Sequence, residues 1–183
     1  KEHHCLRVVS LNCCDGGTKS LREVIEWKPD LVLIQESPAE EEVRQIAQEL
    51  YGEEAFVVYG WNSSVIGKGD LQERILNESD HFIHDRWELV DGHEIDVVSL
   101  RLSPPVARLD FLTPGFWQEH RDRRQEHRQQ IEDVLNHLEK HAVSSHVILG
   151  GDFNAPAYDD ALWSWHDDFQ DTFSVAGRGW GGT

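Results

Sequence analysis

The chain has 183 residues, 39% of them hydrophobic, with 34 acidic against 17 basic side chains and a formal net charge of -17 at pH 7. That is enough apolar material for one domain with a two- or three-layer core that needs no disulfides. The acidic excess repels nucleic-acid backbones at long range, and no run of 18 or more apolar residues offers a membrane span. A divalent cation reverses part of that argument, because acidic residues are its ligands.

Cys5 to Asn12 (CLRVVSLN) is short, β-branched and apolar and runs out into Gly16-Gly17, as a buried strand feeding a functional loop does. Cys5, Cys13 and Cys14 match no zinc spacing and read as small buried residues of this strand region. Ser20-Leu21-Arg22-Glu23 has the form of a capping box, and the helix it opens ends near Trp27 because Pro29 constrains Lys28. Asp30 to Glu36 is apolar on consecutive positions, the mark of a strand covered on both faces, and it terminates in Gln35 and Glu36. Ser37-Pro38-Ala39-Glu40 caps a second helix, in which Val43, Ile46, Ala47 and Leu50 form one apolar face before Gly52 stops it.

From Ala55 to Leu102 the texture predicts short strands: Phe56 to Tyr59, Ser64 to Ile66, His81 to Val90 and Glu94 to Leu102. The last two form an antiparallel hairpin around Asp91-Gly92-His93. A loop from Ser103 to Gly115 leads to a polar helix from about Gln118 to Ala142 with an apolar stripe of Ile131, Val134, Leu135 and Leu138. A basic cluster occurs only there, at Arg121, Arg123, Arg124 and Arg128. His137 and His141, on the polar face of this helix, read as solvated surface, as do His3 and His4. His146 to Gly150 is a further buried strand, ending in Gly151-Asp152-Phe153-Asn154. The order predicts a single α/β sandwich with mixed strands.

Three of these strands end in polar groups: Asn12, Glu36, and Asp152 with Asn154. If their C-terminal ends gather at one edge, two carboxylates and two amides meet there. Oxygen ligands of this kind suit magnesium, manganese or calcium and not zinc. Singly, each has an ordinary reading: a turn residue for Asn12, a helix N-terminal charge for Glu36, an Asx-turn before Pro156 for Asp152 and Asn154. Three buried strands that all end this way need a shared reason.

Leu11-Asn12, Ile34-Gln35-Glu36-Ser37 and Gly150-Gly151-Asp152-Phe153-Asn154-Ala155-Pro156 resemble, in order, spacing and flanking strands, the motifs of the endonuclease/exonuclease/phosphatase superfamily. Asp171-Thr172-Phe173, followed by Gly177 to Thr183, is similar to the stretch that this family carries after its Asp-x-Asn motif. The resemblance implies a DNase I-like, four-layer α/β (α+β) sandwich of two mixed β-sheets flanked by helices, with the C-terminal strands missing from this chain. It implies a phosphoesterase dependent on Mg2+ (or Mn2+), acting on phosphodiesters or phosphomonoesters by metal-assisted attack of water. In that scheme Glu36 binds the metal with Asn12 in its shell, Asp152 orients or activates the water, and Asn154 donates to a non-bridging phosphate oxygen. Ser99-Leu100-Arg101-Leu102 departs from the family pattern of His then Leu, and Arg101 at that place is read as a phosphate-binding residue. The family's Arg-x-Asp stretch and terminal Asp-His pair would follow Thr183. The alternative is a catalytically degenerate domain that binds metal or phosphate. The substrate is a phosphoester, a small molecule being mildly preferred over long nucleic acid on charge, with no membrane contact from this segment. The start at Lys1 suggests a cytoplasmic or extracytoplasmic part of a longer protein.

Overall fold

The computed structural model describes residues 5–75, 79–89, 92–106, 110–144, 146–155, 159–165 and 168–177. In chain order the elements are β1 (Val8–Asn12), α1 (Thr18–Glu23), β2 (Leu31–Gln35), α2 (Glu40–Tyr51), β3 (Ala55–Val58), β4 (Ser63–Lys68), β5 (Asp70–Ile75), β6 (Phe82–Glu88), β7 (Glu94–Arg101), α3 (Pro114–His141), β8 (Val147–Asp152) and α4 (Thr172–Ala176). They fall into two compact units: Lys1–Arg101 with His137–Asp152, and Leu102–Asn136 with Phe153–Thr183.

The first unit holds two mixed sheets, ordered β1-β2-β4-β3 and β5-β6-β7-β8. β1 and β2 are parallel, as are β7 and β8, and the other neighbours are antiparallel. All five residues of β2 are buried, which explains its unbroken apolar run. Because successive strand side chains point to opposite faces, Val32 and Ile34 meet Leu21 and Val24 near α1 and Val43, Ile46 and Ala47 of α2. Leu31 and Leu33 instead join Phe56, Val58 and Val65 against Trp87, Ile95 and Val97 of the second sheet. Each such side chain contributes about 1.5–3 kcal/mol by leaving water. The last turn of α3 lies on the second sheet's other face, with the His137 ring 5.1 Å from that of Phe82 and 5.2 Å from that of His84.

Several local expectations are corrected. α1 begins at Thr18 behind an extended Gly17 with no side-chain cap, so Ser20 lies inside the helix. The helical stretch does end at Trp27, where Lys28 turns left-handed at φ 46°. Ser37 does not cap α2; its hydroxyl shares a 2.7 Å hydrogen bond with Ser64, and the helix starts at Glu40 after Ala39. β5 has no counterpart in the sequence reading, because Asp70, Gln72, Glu73 and Arg74 give an edge strand no apolar period, and a bulge between Leu71 and Glu73 shifts its register. α3 starts four residues earlier than its apolar pattern, and Thr113 Oγ1 accepts from the Phe116 amide there. Cys13 is buried, whereas Cys5 and Cys14 are exposed. His137 is half-buried rather than solvated, its Nε2 3.1 Å from His84 Nδ1. The hairpin joining β6 and β7 forms as expected, but Asp91 at its turn, Pro156 and Arg178 to Thr183 lie outside the described residues. Among the described residues no helix is long and apolar enough to cross a membrane.

Candidate active site

Parallel pairing decides where the polar strand ends go. Asn12 sits in register with Gln35, and Arg101 with Asp152, so each sheet delivers two C-terminal ends together. Gln35 is 1% exposed and bridges the sheets: its Nε2 donates to Ser99 Oγ at 3.2 Å, and its Oε1 accepts from Ser10 Oγ at 3.4 Å. Its role is to lock β2 over β7 so that the next residue, Glu36, projects at the shared edge.

The Asn12 amide joins the two carboxylates. Its Nδ2 donates to Glu36 Oε1 at 3.0 Å and to Asp152 Oδ2 at 2.8 Å, while its Oδ1 accepts from the Cys14 amide at 2.8 Å. The Cys14 N–H needs an acceptor, and this orients the Asn12 side chain with nitrogen toward the carboxylates. Glu36 leaves its strand in the left-handed region at φ 51°, a conformation that costs a non-glycine residue about 1–3 kcal/mol. Surrounding bonds hold it there: Glu36 N donates to Asn62 O at 3.0 Å, Gly16 N to Glu36 O at 3.1 Å, and Asp15 N to Glu36 Oε2 at 2.5 Å. Arg101 Nη2 donates to Glu36 Oε1 at 2.9 Å, and Nη1 to Asn62 Oδ1 at 3.4 Å.

Burial opposes ionisation of Glu36, but the Asp15 amide, the Asn12 amide and the Arg101 charge together outweigh it and hold its pKa below the ordinary glutamate value. The carboxylate is therefore charged throughout the neutral range. Close by, burial first and the Glu36 charge second push the Cys13 thiol up to about 11, which keeps it protonated and inert.

The structure thus brings four of the five sequence candidates together: Asn12, Glu36, Arg101 and Asp152. Asn154 falls at the start of the second unit, at φ 48°, with its Nδ2 donating to Leu102 O at 2.7 Å. Two carboxylates flanking one amide nitrogen fit a hard divalent cation, which typically takes one or two carboxylates and fills its shell with water and phosphate oxygens. Asn12 turns its oxygen toward the Cys14 amide and its nitrogen toward the two carboxylates. Among the described residues no group of three His, Cys, Asp or Glu is placed to hold a metal ion.

Two contributors had no sequence signal. Asn62 holds both the Glu36 backbone and the Arg101 guanidinium. Its sequence neighbour Trp61 is 81% exposed. The Asp15 backbone amide binds Glu36 from a turn in which Cys14 and Asp15 both take positive φ.

Comparison with known proteins gives no matching family model and no matching curated protein. Solved structures do match. A D. rerio TDP2 humanized by 14 mutations superposes with TM-score 0.58 at 16% identity, over 86% of this chain and 65% of that one. The endonuclease domain of TRAS1, a telomere-specific non-LTR retrotransposon, gives TM-score 0.52 at 16% identity, over 83% and 62%. A functionally unknown conserved protein from Enterococcus faecalis V583 gives 0.59 at 12% identity, over 93% and 74%. The chain spans less than two thirds of the first two. With its two mixed sheets and flanking helices, the chain has the DNase I-like fold.

Proposed function

We propose that this chain carries the metal-binding site of a phosphoester hydrolase, centred on Glu36 and Asp152. The observation that carries the reading is the single Asn12 amide donating to both carboxylates at the C-terminal edge of two parallel strand pairs. Two strand-end carboxylates do not converge for stability, since their mutual repulsion costs energy unless a cation or a reacting group uses it.

Glu36, with Asp152 beside it, holds Mg2+ or Mn2+, which when bound supplies Lewis-acid polarisation of a phosphoryl oxygen. Asn12 sets the spacing of the two carboxylates. Asp152 orients the attacking water and accepts its proton as the nucleophile forms. Arg101 is within reach of the same edge and pairs with a phosphate oxygen once Glu36 is neutralised. Asn154 keeps the role its motif alone suggests, donation to a non-bridging oxygen. Trp61 offers a stacking plane to an aromatic ester or a nucleobase. The substrate class therefore stays at phosphoesters: the charge-based preference for small molecules draws no support from the fold neighbours, one of which is described as an endonuclease domain.

A second reading, a degenerate domain, rests on Arg101. Its guanidinium already neutralises Glu36 at 2.9 Å without a cation. Hydrolysis of bis-p-nitrophenyl phosphate and p-nitrophenyl phosphate with Mg2+ or Mn2+ separates the two. Metal-dependent turnover abolished by both Glu36→Gln and Asp152→Asn supports the hydrolase and ranks diester against monoester. Metal binding without turnover supports the degenerate domain.

A further inference from the structure

The buried stripe of α3 changes character halfway along the helix. Ile131, Val134 and Leu138 are buried at helical spacing. One turn earlier the stripe continues in the buried His127, and on the helix face beside it Trp117, His120, Arg121, Arg124, Gln125 and Arg128 line a cleft of about 540 Å³. That face carries an indole, an imidazole, an amide and three guanidiniums, and it is open: Trp117 is 56% exposed.

The cations are arranged, not scattered. Arg124 is paired with Asp160 and reaches Asp159 at 3.5 Å, and Arg128 reaches Asp160 at 3.1 Å, so one carboxylate braces two guanidiniums side by side. Arg121 has no ion-pair partner among the described residues. The Trp117 ring packs edge-on to Phe116, with centroids 5.2 Å apart, and lies 6.2 Å from that of His120. Four of the 17 basic residues of a chain with net charge -17 fall between Arg121 and Arg128. The cleft lining itself contains no carboxylate.

We propose that this face of α3 is a docking surface for single-stranded nucleic acid, with Trp117 stacking on a base and Arg121, Arg124 and Arg128 taking successive phosphates. Along the helix axis Arg121 and Arg124 are about 4.5 Å apart and Arg124 and Arg128 about 6 Å, a spacing from which long guanidinium side chains can follow an extended backbone. A duplex keeps its bases stacked and offers Trp117 none. An acidic peptide satisfies the arginines but not the indole. This inference extends the phosphoester reading to a substrate class, and it is tested independently of turnover.

The test is fluorescence anisotropy of a fluorescein-labelled oligothymidylate of about 10 nucleotides, titrated with the full chain in EDTA. Binding is expected with a log–log salt slope between about -0.7 and -2, for one to three phosphates neutralised. Trp117→Ala should weaken it about 5- to 150-fold, the value of one stacked base, and Arg121→Glu should weaken it and flatten the slope. Both residues are exposed, and far-UV circular dichroism checks that each variant folds. No binding by the wild type, or equal competition by oligothymidylate and polyglutamate with no effect of Trp117→Ala, overturns the surface. Since EDTA suppresses metal-dependent hydrolysis, either failure leaves the bis-p-nitrophenyl phosphate result standing on its own.

Discussion

Asp85 gives a prediction with a magnitude. It lies in the middle of β6, opposite Val97, with 1% of its surface exposed and neither carboxylate oxygen hydrogen-bonded. Burial pushes its pKa up to about 7 from 3.8, against a smaller lowering by the Arg74 charge. Below pH 3.8 both the folded and the unfolded chain carry the proton, so no penalty arises. Between 3.8 and about 7 the unfolded chain ionises while the folded chain keeps its proton, and stability falls by 1.36 kcal/mol per pH unit. The loss complete by neutral pH is about 4 kcal/mol, a large fraction of a domain's stability. Asp85→Asn keeps the shape and removes the titration. Urea unfolding of wild type and variant across pH 4 to 8 should therefore give curves that diverge up to about pH 7, with the wild type losing about 1.4 kcal/mol per unit relative to the variant, and run parallel above it. Curves parallel throughout would mean that Asp85 ionises normally in the fold and would refute the burial argument.

Asn12→Ala removes the one donor shared by Glu36 and Asp152 and should lower metal-dependent hydrolysis about 10- to 100-fold while raising the Mg2+ concentration needed; an unchanged metal titration would count against its orienting role. Arg101→Leu takes away a charge that helps keep Glu36 ionised, so the acidic limb of bis-p-nitrophenyl phosphate hydrolysis should move to higher pH, and a limb that stays put contradicts the pairing. A Cβ at Gly151, which takes φ 149°, would stand 2.0 Å from Leu100 O; Gly151→Ala should cost at least about 1–3 kcal/mol in urea unfolding and displace Asp152, whereas a neutral effect would mean that β8 is not held in this register. Ile46→Ala, at a fully buried position of α2, should cost about 2–5 kcal/mol in the same assay, and a smaller loss would indicate that the α2 contact with the first sheet is loose.

Local chemistry determined much of this protein. The run Leu31 to Ile34 has no polar position and can only be a strand covered on both faces, and the i, i+3, i+4 spacing of Val43, Ile46 and Ala47 makes a one-sided helix. Those periods, with Asn12, Glu36 and Asp152 at strand ends, were enough for the fold class and three of the four residues that gather at the site, while Arg101 came from its departure from a family pattern. Helix starts were legible only where the side chain had no better partner: Ser37 spends its hydroxyl on Ser64, 27 residues away, instead of on a cap. Net charge is a blunt guide for a similar reason, since a total of -17 averages over the surface and does not locate the arginine face of α3. What only the tertiary structure decided is which groups face which. The bond from Asn12 to Asp152 spans 140 positions, and the link from Gln35 to Ser99 joins two separate sheets. Periodicity reports which side of a strand is apolar, but strand order, register and the stacking of one sheet on another are settled by long-range packing, and those fix the distances on which chemistry depends.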